Sequence, residues 1–369
     1  MAMQRGPCAE NARGFTLVEL MIALVITSII VMAGFAILTT SDKATRANSQ
    51  AVGTQYNVRA AMELLSRDVK MAGFGMIGPV GNCATAIVPS DNDPAAADQG
   101  PDAVSLVVPA VSNANAQWVL SGQATAPTKQ LQLSPAHVAD MVNLGVANGS
   151  VISLGGAFSV QVNSANKVTG VITLAAPLVA PVVFPVNTPV YLLQCVTYQV
   201  IRPPDANNVC GGSAPCLVRG VPTAINTCNV ATSPCIPIVD GIEDLQLAYA
   251  CDGCVATING GVPDGVIDDQ GSPASGTFDQ ADFITNSTWT TPPLTPDRIR
   301  LVQVSIVARQ TAVDVGMGGT GAAGTYSAAP LQVSDHNAAA DTGYYNATQY
   351  QQQRRRVLVR TIETRNMGI

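Results

Sequence analysis

Charge is scarce in this 369-residue chain: Asp, Glu, Lys and Arg make up 12% of it, about half the share usual in soluble domains. Lys and Arg number 19 against 25 Asp and Glu, a net charge of −6. That balance excludes a general nucleic-acid binder, because neutralising phosphates takes an excess of cations. Aromatic residues are few, and the two histidines, His137 and His336, stand far apart with no nucleophile motif nearby. Gly-x-Ser-x-Gly, Walker and dinucleotide-binding motifs are missing, which leaves no sequence basis for an enzyme. A second long apolar run is missing too, so a polytopic membrane protein is excluded. Apolar residues are not short: they reach 47% with a mean hydropathy of +0.25, too high for a wholly disordered chain.

The single long apolar run is the most informative segment. Residues 20–38 are nineteen positions without a charge. At about 1.5 Å per residue such a helix nearly spans a hydrocarbon core of roughly 30 Å. Arg5 and Arg13 precede it, so the positive-inside tendency keeps the N-terminus in the cytoplasm and sends the bulk of the chain outward. An ordinary signal peptide has an apolar region of only about 7–15 residues before its cleavage site; this one is longer and runs on into a helix-like polar segment. Glu19 sits at the start of the block, after Phe15, Thr16, Leu17 and Val18. A carboxylate in a membrane segment costs about 2.5–3.5 kcal/mol even on the lenient insertion scale, so it is a functional candidate, and its natural compensation is a cation.

The sequence Arg13-Gly14-Phe15-Thr16-Leu17-Val18-Glu19-Leu20, followed by Met21-Ile22-Ala23-Leu24, resembles the class III leader and helix start of type IV prepilins. The resemblance implies cleavage by a prepilin peptidase between Gly14 and Phe15, then N-methylation of Phe15. It also implies an assembly role for Glu19, whose carboxylate would pair with the amino terminus of a neighbouring subunit. Ala36, with Gly34 nearby, stands where major pilins of the family usually carry a helix-softening proline.

Helical patterning continues past the apolar run. Ala51, Gln55, Val58, Met62, Leu65, Val69 and Ala72 follow one another at spacings of 4, 3, 4, 3, 4 and 3, an amphipathic stripe suited to docking on a globular body. No proline falls between Phe15 and Ala72, and Gly73, Gly75, Gly78 and Pro79 are stop signals. One helix over 15–72 is therefore expected. The remainder reads as β-rich, with candidate strands at 103–108, 129–133, 151–154, 158–162, 168–174, 190–201, 238–249, 299–308 and 356–362. The expected fold is α+β and pilin-like. The expected organisation is a leader at 1–14, a transmembrane or polymerisation half-helix at 15–39, an amphipathic half at 40–73 and a β-rich extracytoplasmic head at 74–369.

Four further segments resemble PilW-type minor pilins, in order along the chain: 60–74, 239–249, 298–309 and 354–366. The resemblance implies a structural, non-enzymatic protein that helps to initiate a type IV pilus and is incorporated near its tip. The implied partners are prepilin peptidase, other minor pilins, the major pilin, a tip adhesin and the inner membrane through the N-terminal helix. Two alternatives stay open at this point: a minor pseudopilin of type II secretion, and a membrane-anchored surface binding module.

Removing the leader removes Cys8 and leaves eight cysteines: Cys83, Cys195, Cys210, Cys216, Cys228, Cys235, Cys251 and Cys254. An even number in an exported chain favours disulfides over zinc or a redox Cys-x-x-Cys. Close spacing suggests 210–216, 228–235 and 251–254, leaving 83–195, although eight cysteines allow 105 pairings. Residues 220–297 hold ten acids and no Lys or Arg. Within them Asp264, Asp268 and Asp269 flank a turn glycine, a weak calcium candidate in a chain otherwise expected to need no cofactor. Arg354, Arg355 and Arg356 read as a strand flank or as partners for this acidic stretch.

Overall fold

Thr16 opens the long helix. Its backbone is extended and its side chain accepts the Glu19 N–H, while the Glu19 carboxylate accepts the Thr16 N–H, a reciprocal capping box. In the computed structural model, which describes residues 15–92, 100–110, 117–205, 208–212, 214–221, 235–270, 276–313, 330–341, 343–346 and 350–367, helix α1 (Leu17–Met71) runs 55 residues without a break, about 80 Å. It passes through Gly34 and Ala36 unbroken. The apolar side chains from Phe15 to Leu38 are all exposed, a face that water does not tolerate over such a length and lipid or a helix bundle does.

The second half of α1 is buried on one side by Thr54, Val58, Ala61, Met62, Leu65, Ser66, Asp68 and Val69. The stripe expected from spacing holds from Val58 to Ala72. At its start, however, Ala51 is half-buried and Gln55 exposed, because the head reaches only as far as Thr54. Each fully buried large apolar side chain here contributes roughly 1.5–3 kcal/mol.

The strands in chain order are β1 (Ile87–Ser90), β2 (Ala103–Pro109), β3 (Ala124–Thr125), β4 (Gln130–Gln132), then helix α2 (Pro135–Asn143), β5 (Val151–Leu154), β6 (Phe158–Asn166), β7 (Val171–Leu174), β8 (Val183–Phe184) and β9 (Val190–Ile201). After them come β10 (Cys216–Gly220), β11 (Cys235–Asp240), β12 (Ile242–Cys251), β13 (Ile299–Arg309), β14 (Gln332–Val333), β15 (His336–Asn337) and β16 (Arg355–Glu363). The large sheet runs β1-β2-β9-β5-β6-β7-β4, with β10 and β11 added along the second half of β9. A separate antiparallel sheet runs β12-β13-β16. The main core sits where α1 meets both sheets, and a second apolar cluster gathers under α2.

One expected strand, 238–249, is two. Gly241 takes φ 76° between β11 and β12, a left-handed conformation that favours glycine. Its N–H donates to Pro215 O and its carbonyl accepts from Arg309 N, each at 2.7 Å. The chain thus leaves the large sheet and enters the small one at a single residue. Helix α2 was absent from the strand reading. Its signal is Ser134 as N-cap followed by Pro135 at the first helical position.

Candidate functional site

The functional residues fall in three places along the helix and head. The first is the helix start. Gly14 lies outside the described residues, and Phe15 is 86% exposed. Glu19 Oε2 accepts from Thr16 N at 3.0 Å and Thr16 Oγ1 at 2.9 Å. Oε2 takes both bonds, and Oε1 takes none among the described residues. The carboxylate is thus held in the first helical turn, where the helix dipole favours an anion.

The second place is the seam between helix and head, which spacing alone did not reveal. Asp68 on α1 is 4% exposed. It accepts from Tyr198 Oη of β9 at 2.6 Å and from Arg219 Nε of β10 at 3.0 Å, while Arg67 Nε donates to its other oxygen at 3.2 Å. Burial and the Asp68 carboxylate push the Tyr198 phenol far above its ordinary pKa, so it stays a donor. At the helix exit, Asn366 Nδ2 donates to Lys70 O at 3.1 Å, so the segment after β16 clasps the end of α1.

The third place is an ionic cluster beside a cavity of about 320 Å³. His336, 1% exposed, sits between Asp244 (Nδ1 at 2.6 Å) and Asp341 (Nε2 at 2.8 Å). Arg202 donates to Asp341 at 2.7 Å and to Glu243 O at 2.7 Å, and stacks on Tyr344 at 4.5 Å. Arg355 grips Glu243 with two nitrogens and lies over the Tyr350 ring. Burial works to lower the His336 pKa, but the hydrogen bonds and charges of Asp244 and Asp341 outweigh it and push it up to about 10. The two carboxylates therefore favour the imidazolium, and the cluster ties His336 and Arg355 to Asp244 and Glu243 of β12. Of the three consecutive arginines, Arg355 pairs with an acid of the 220–297 stretch, whereas Arg356 is exposed.

The cysteines are joined Cys83–Cys195, Cys210–Cys216 and Cys251–Cys254. Cys235 is disulfide-bonded; Cys228 and Cys8 lie outside the described residues. Asp268 approaches Cys251 and Cys254, whose sulfurs are already bonded to each other. Its two oxygens accept from Gly253 N, Cys254 N and Val255 N at 2.8–3.0 Å. Asp264 caps its own turn through Val266 N at 2.9 Å, and Asp269 accepts from Gly276 N. Each of the three candidate calcium ligands is thus engaged by a different backbone segment, and the structure does not bring them together around one point. Trp118 and Trp289 are packed, each 3% exposed.

Residues 11–35 match the family model described as the prokaryotic N-terminal methylation motif. Residues 205–366 match the model described as type IV pilus-assembly protein W. No curated protein and no solved structure matches the chain.

Proposed function

We propose that this chain, a PilW-type type IV pilin by its two family matches, is a minor pilin that helps to initiate a type IV pilus and is built into the filament near its tip. What carries the reading is the combination of the two matches on one chain with an exposed, uninterrupted apolar helix ending in the Glu19 capping box. A pilin works by packing rather than by chemistry. Prepilin peptidase cuts between Gly14 and Phe15 and methylates Phe15, and the new amine is then within reach of a neighbour's Glu19. Two groups that are each costly in lipid neutralise one another across the subunit contact. The apolar half of α1 holds the chain in the inner membrane with its head in the periplasm until other minor pilins and the major pilin take its place around it.

The test is the intact mass and N-terminal sequence of the chain coexpressed with a prepilin peptidase. A chain beginning at methylated Phe15, with processing lost in Gly14→Ala, supports the reading. A chain still beginning at Met1, or cut after the apolar run, defeats it and favours an anchored or secreted binding module. Glu19→Ala should leave processing intact and remove the chain from filaments. Recovery of the chain with secretion-system proteins instead of pilus proteins would favour the pseudopilin alternative.

A further inference from the structure

The closing strand β16 is the edge of its sheet: it pairs with β13 and with no other strand among the described residues. Its register fixes which backbone groups face outward. Arg300 O accepts from Thr364 N and Arg354 O accepts from Gln310 N, so the even-numbered residues bond inward to β13. In an antiparallel pair the alternate residues point their N–H and C=O away, which leaves those of Val357, Val359, Thr361 and Glu363 on the open edge. Val357 is 41% and Val359 51% exposed. Arg356 and Arg360, on the opposite face of the strand, are also exposed.

We infer that the outer edge of β16 is a strand-addition site for an extended acidic and apolar segment of a different subunit of the same filament. A strand laid on this edge gains main-chain hydrogen bonds, and side chains at alternate positions decide what fits. Carboxylates flanking Arg356 and Arg360 would alternate with β-branched residues flanking Val357 and Val359, a period-two pattern. The β16 strand of a second copy lacks that pattern: its one carboxylate, Glu363, lies on the face opposite Arg356 and Arg360, and antiparallel self-pairing centred on Leu358 would set Arg356 directly opposite Arg360, where like charges opposed across a ladder destabilise it. The edge is continuous with the assembly helix, because Leu358 and Ile362 pack into the core shared with α1 and Asn366 holds the end of α1. A neighbour drawn alongside by helix packing is therefore presented to this edge.

The inference rests on the pilin reading, and the experiment separates the two. The full-length chain is isolated in mild detergent from cells making all its pilus proteins, and the other pilus subunits per copy are counted by quantitative mass spectrometry. Val359→Pro removes an outward N–H that β13 does not use, and the double variant Arg356→Glu with Arg360→Glu reverses the charge without touching the backbone. Each variant should melt within about 2 °C of wild type and lose about tenfold of the co-isolated subunits, the effect of roughly 1.4 kcal/mol. A benzophenone side chain at Val357 should crosslink to an alternating acidic and apolar segment of one such subunit. Wild-type recovery in the charge variant overturns the inference, as does crosslinking only to lipid or to a second copy. A wild-type chain that brings down no pilus subunit at all overturns the pilin reading and the inference with it.

Discussion

Removing the Asp68 carboxylate should loosen the head from its helix. Asp68 is nearly fully buried and receives the Tyr198 hydroxyl at 2.6 Å and Arg219 Nε at 3.0 Å. Breaking a buried charge pair from one side costs about 3–5 kcal/mol, because the other charge is left without compensation. The Arg219 side chain is 29% exposed, so water can reach part of it and the lower end, about 3 kcal/mol, applies to Asp68→Ala. Asp68→Asn, with its carbonyl in the place of Oδ2, keeps the acceptor that both donors share but loses the charge opposite Arg219, and should cost about 1–2 kcal/mol. Tyr198→Phe should cost about 1 kcal/mol. Arg219→Leu added to Asp68→Ala should recover part of the loss, since no orphaned charge remains. The assay is guanidinium unfolding of the full chain in detergent micelles, followed by fluorescence. Trp289 belongs to the cluster shared with α1 and Trp118 to the cluster under α2, so Trp118→Phe leaves a reporter of the helix seam alone. If Asp68→Ala and Asp68→Asn both unfold within about 0.5 kcal/mol of wild type, the seam is not held as argued.

Stability should also fall at alkaline pH through His336. Its pKa is raised from the ordinary 6.5 to about 10, so its contribution is complete below 6.5 and is lost as pH rises toward 10. At roughly 1.4 kcal/mol per unit the effect is on the order of a few kcal/mol; His336→Gln should flatten that part of the melting profile, and an unchanged profile would show that the imidazolium is not bound as described. Gly241→Ala should destabilise by about 2–4 kcal/mol, because a Cβ there meets Arg309 O at 2.7 Å in addition to the left-handed strain. Gly265→Ala, equally left-handed but with nothing within 4 Å, should cost only about 1–2 kcal/mol, and equal losses at the two sites would remove the sheet-switch explanation. Chelation with EGTA should leave the melting temperature unchanged, since Asp268 is already occupied by three amides; a clear drop would place calcium at the acidic turn.

The parts of this fold legible in the sequence are those written in short-range periodicity. Helix α1 announced itself by an uncharged run, a cap and a 3-4 stripe, and it is found over Leu17–Met71. Strands such as β5 and β9 coincide with their apolar runs because both are bounded by turn residues. The 238–249 run misled because a glycine inside a strand pattern looks the same whether it marks a bulge or a change of sheet; only the distant partners Pro215 and Arg309 decide. The Asp68 and His336 clusters were invisible for a related reason. Tyr198 and Arg219 lie 130 and 151 residues from Asp68, and Asp244 lies 92 from His336. A lone Asp outside an apolar stripe reads as solvated until the sheet that faces it is known.

The charge scarcity that opens the sequence acquires a mechanical meaning in the structure. The apolar half of α1 offers no polar grip, so force passing along the helix enters the head through the buried face of its second half and the polar bonds beside that face. Those bonds come from distant parts of the chain: Tyr198 and Arg219 from the large sheet reach Asp68, and Asn366 beyond β16 reaches Lys70. Both sheets are therefore tied to the last turns of one helix, and the tie on the β16 side is made by the segment that follows its open edge. Loading that edge with a neighbour's strand would brace the same segment that clasps the helix exit. Assembly through the helix and contact through the head would then reinforce one another, so variants at Asp68 and at Arg356 with Arg360 should show coupled losses in filaments while their effects on melting of the isolated chain stay additive.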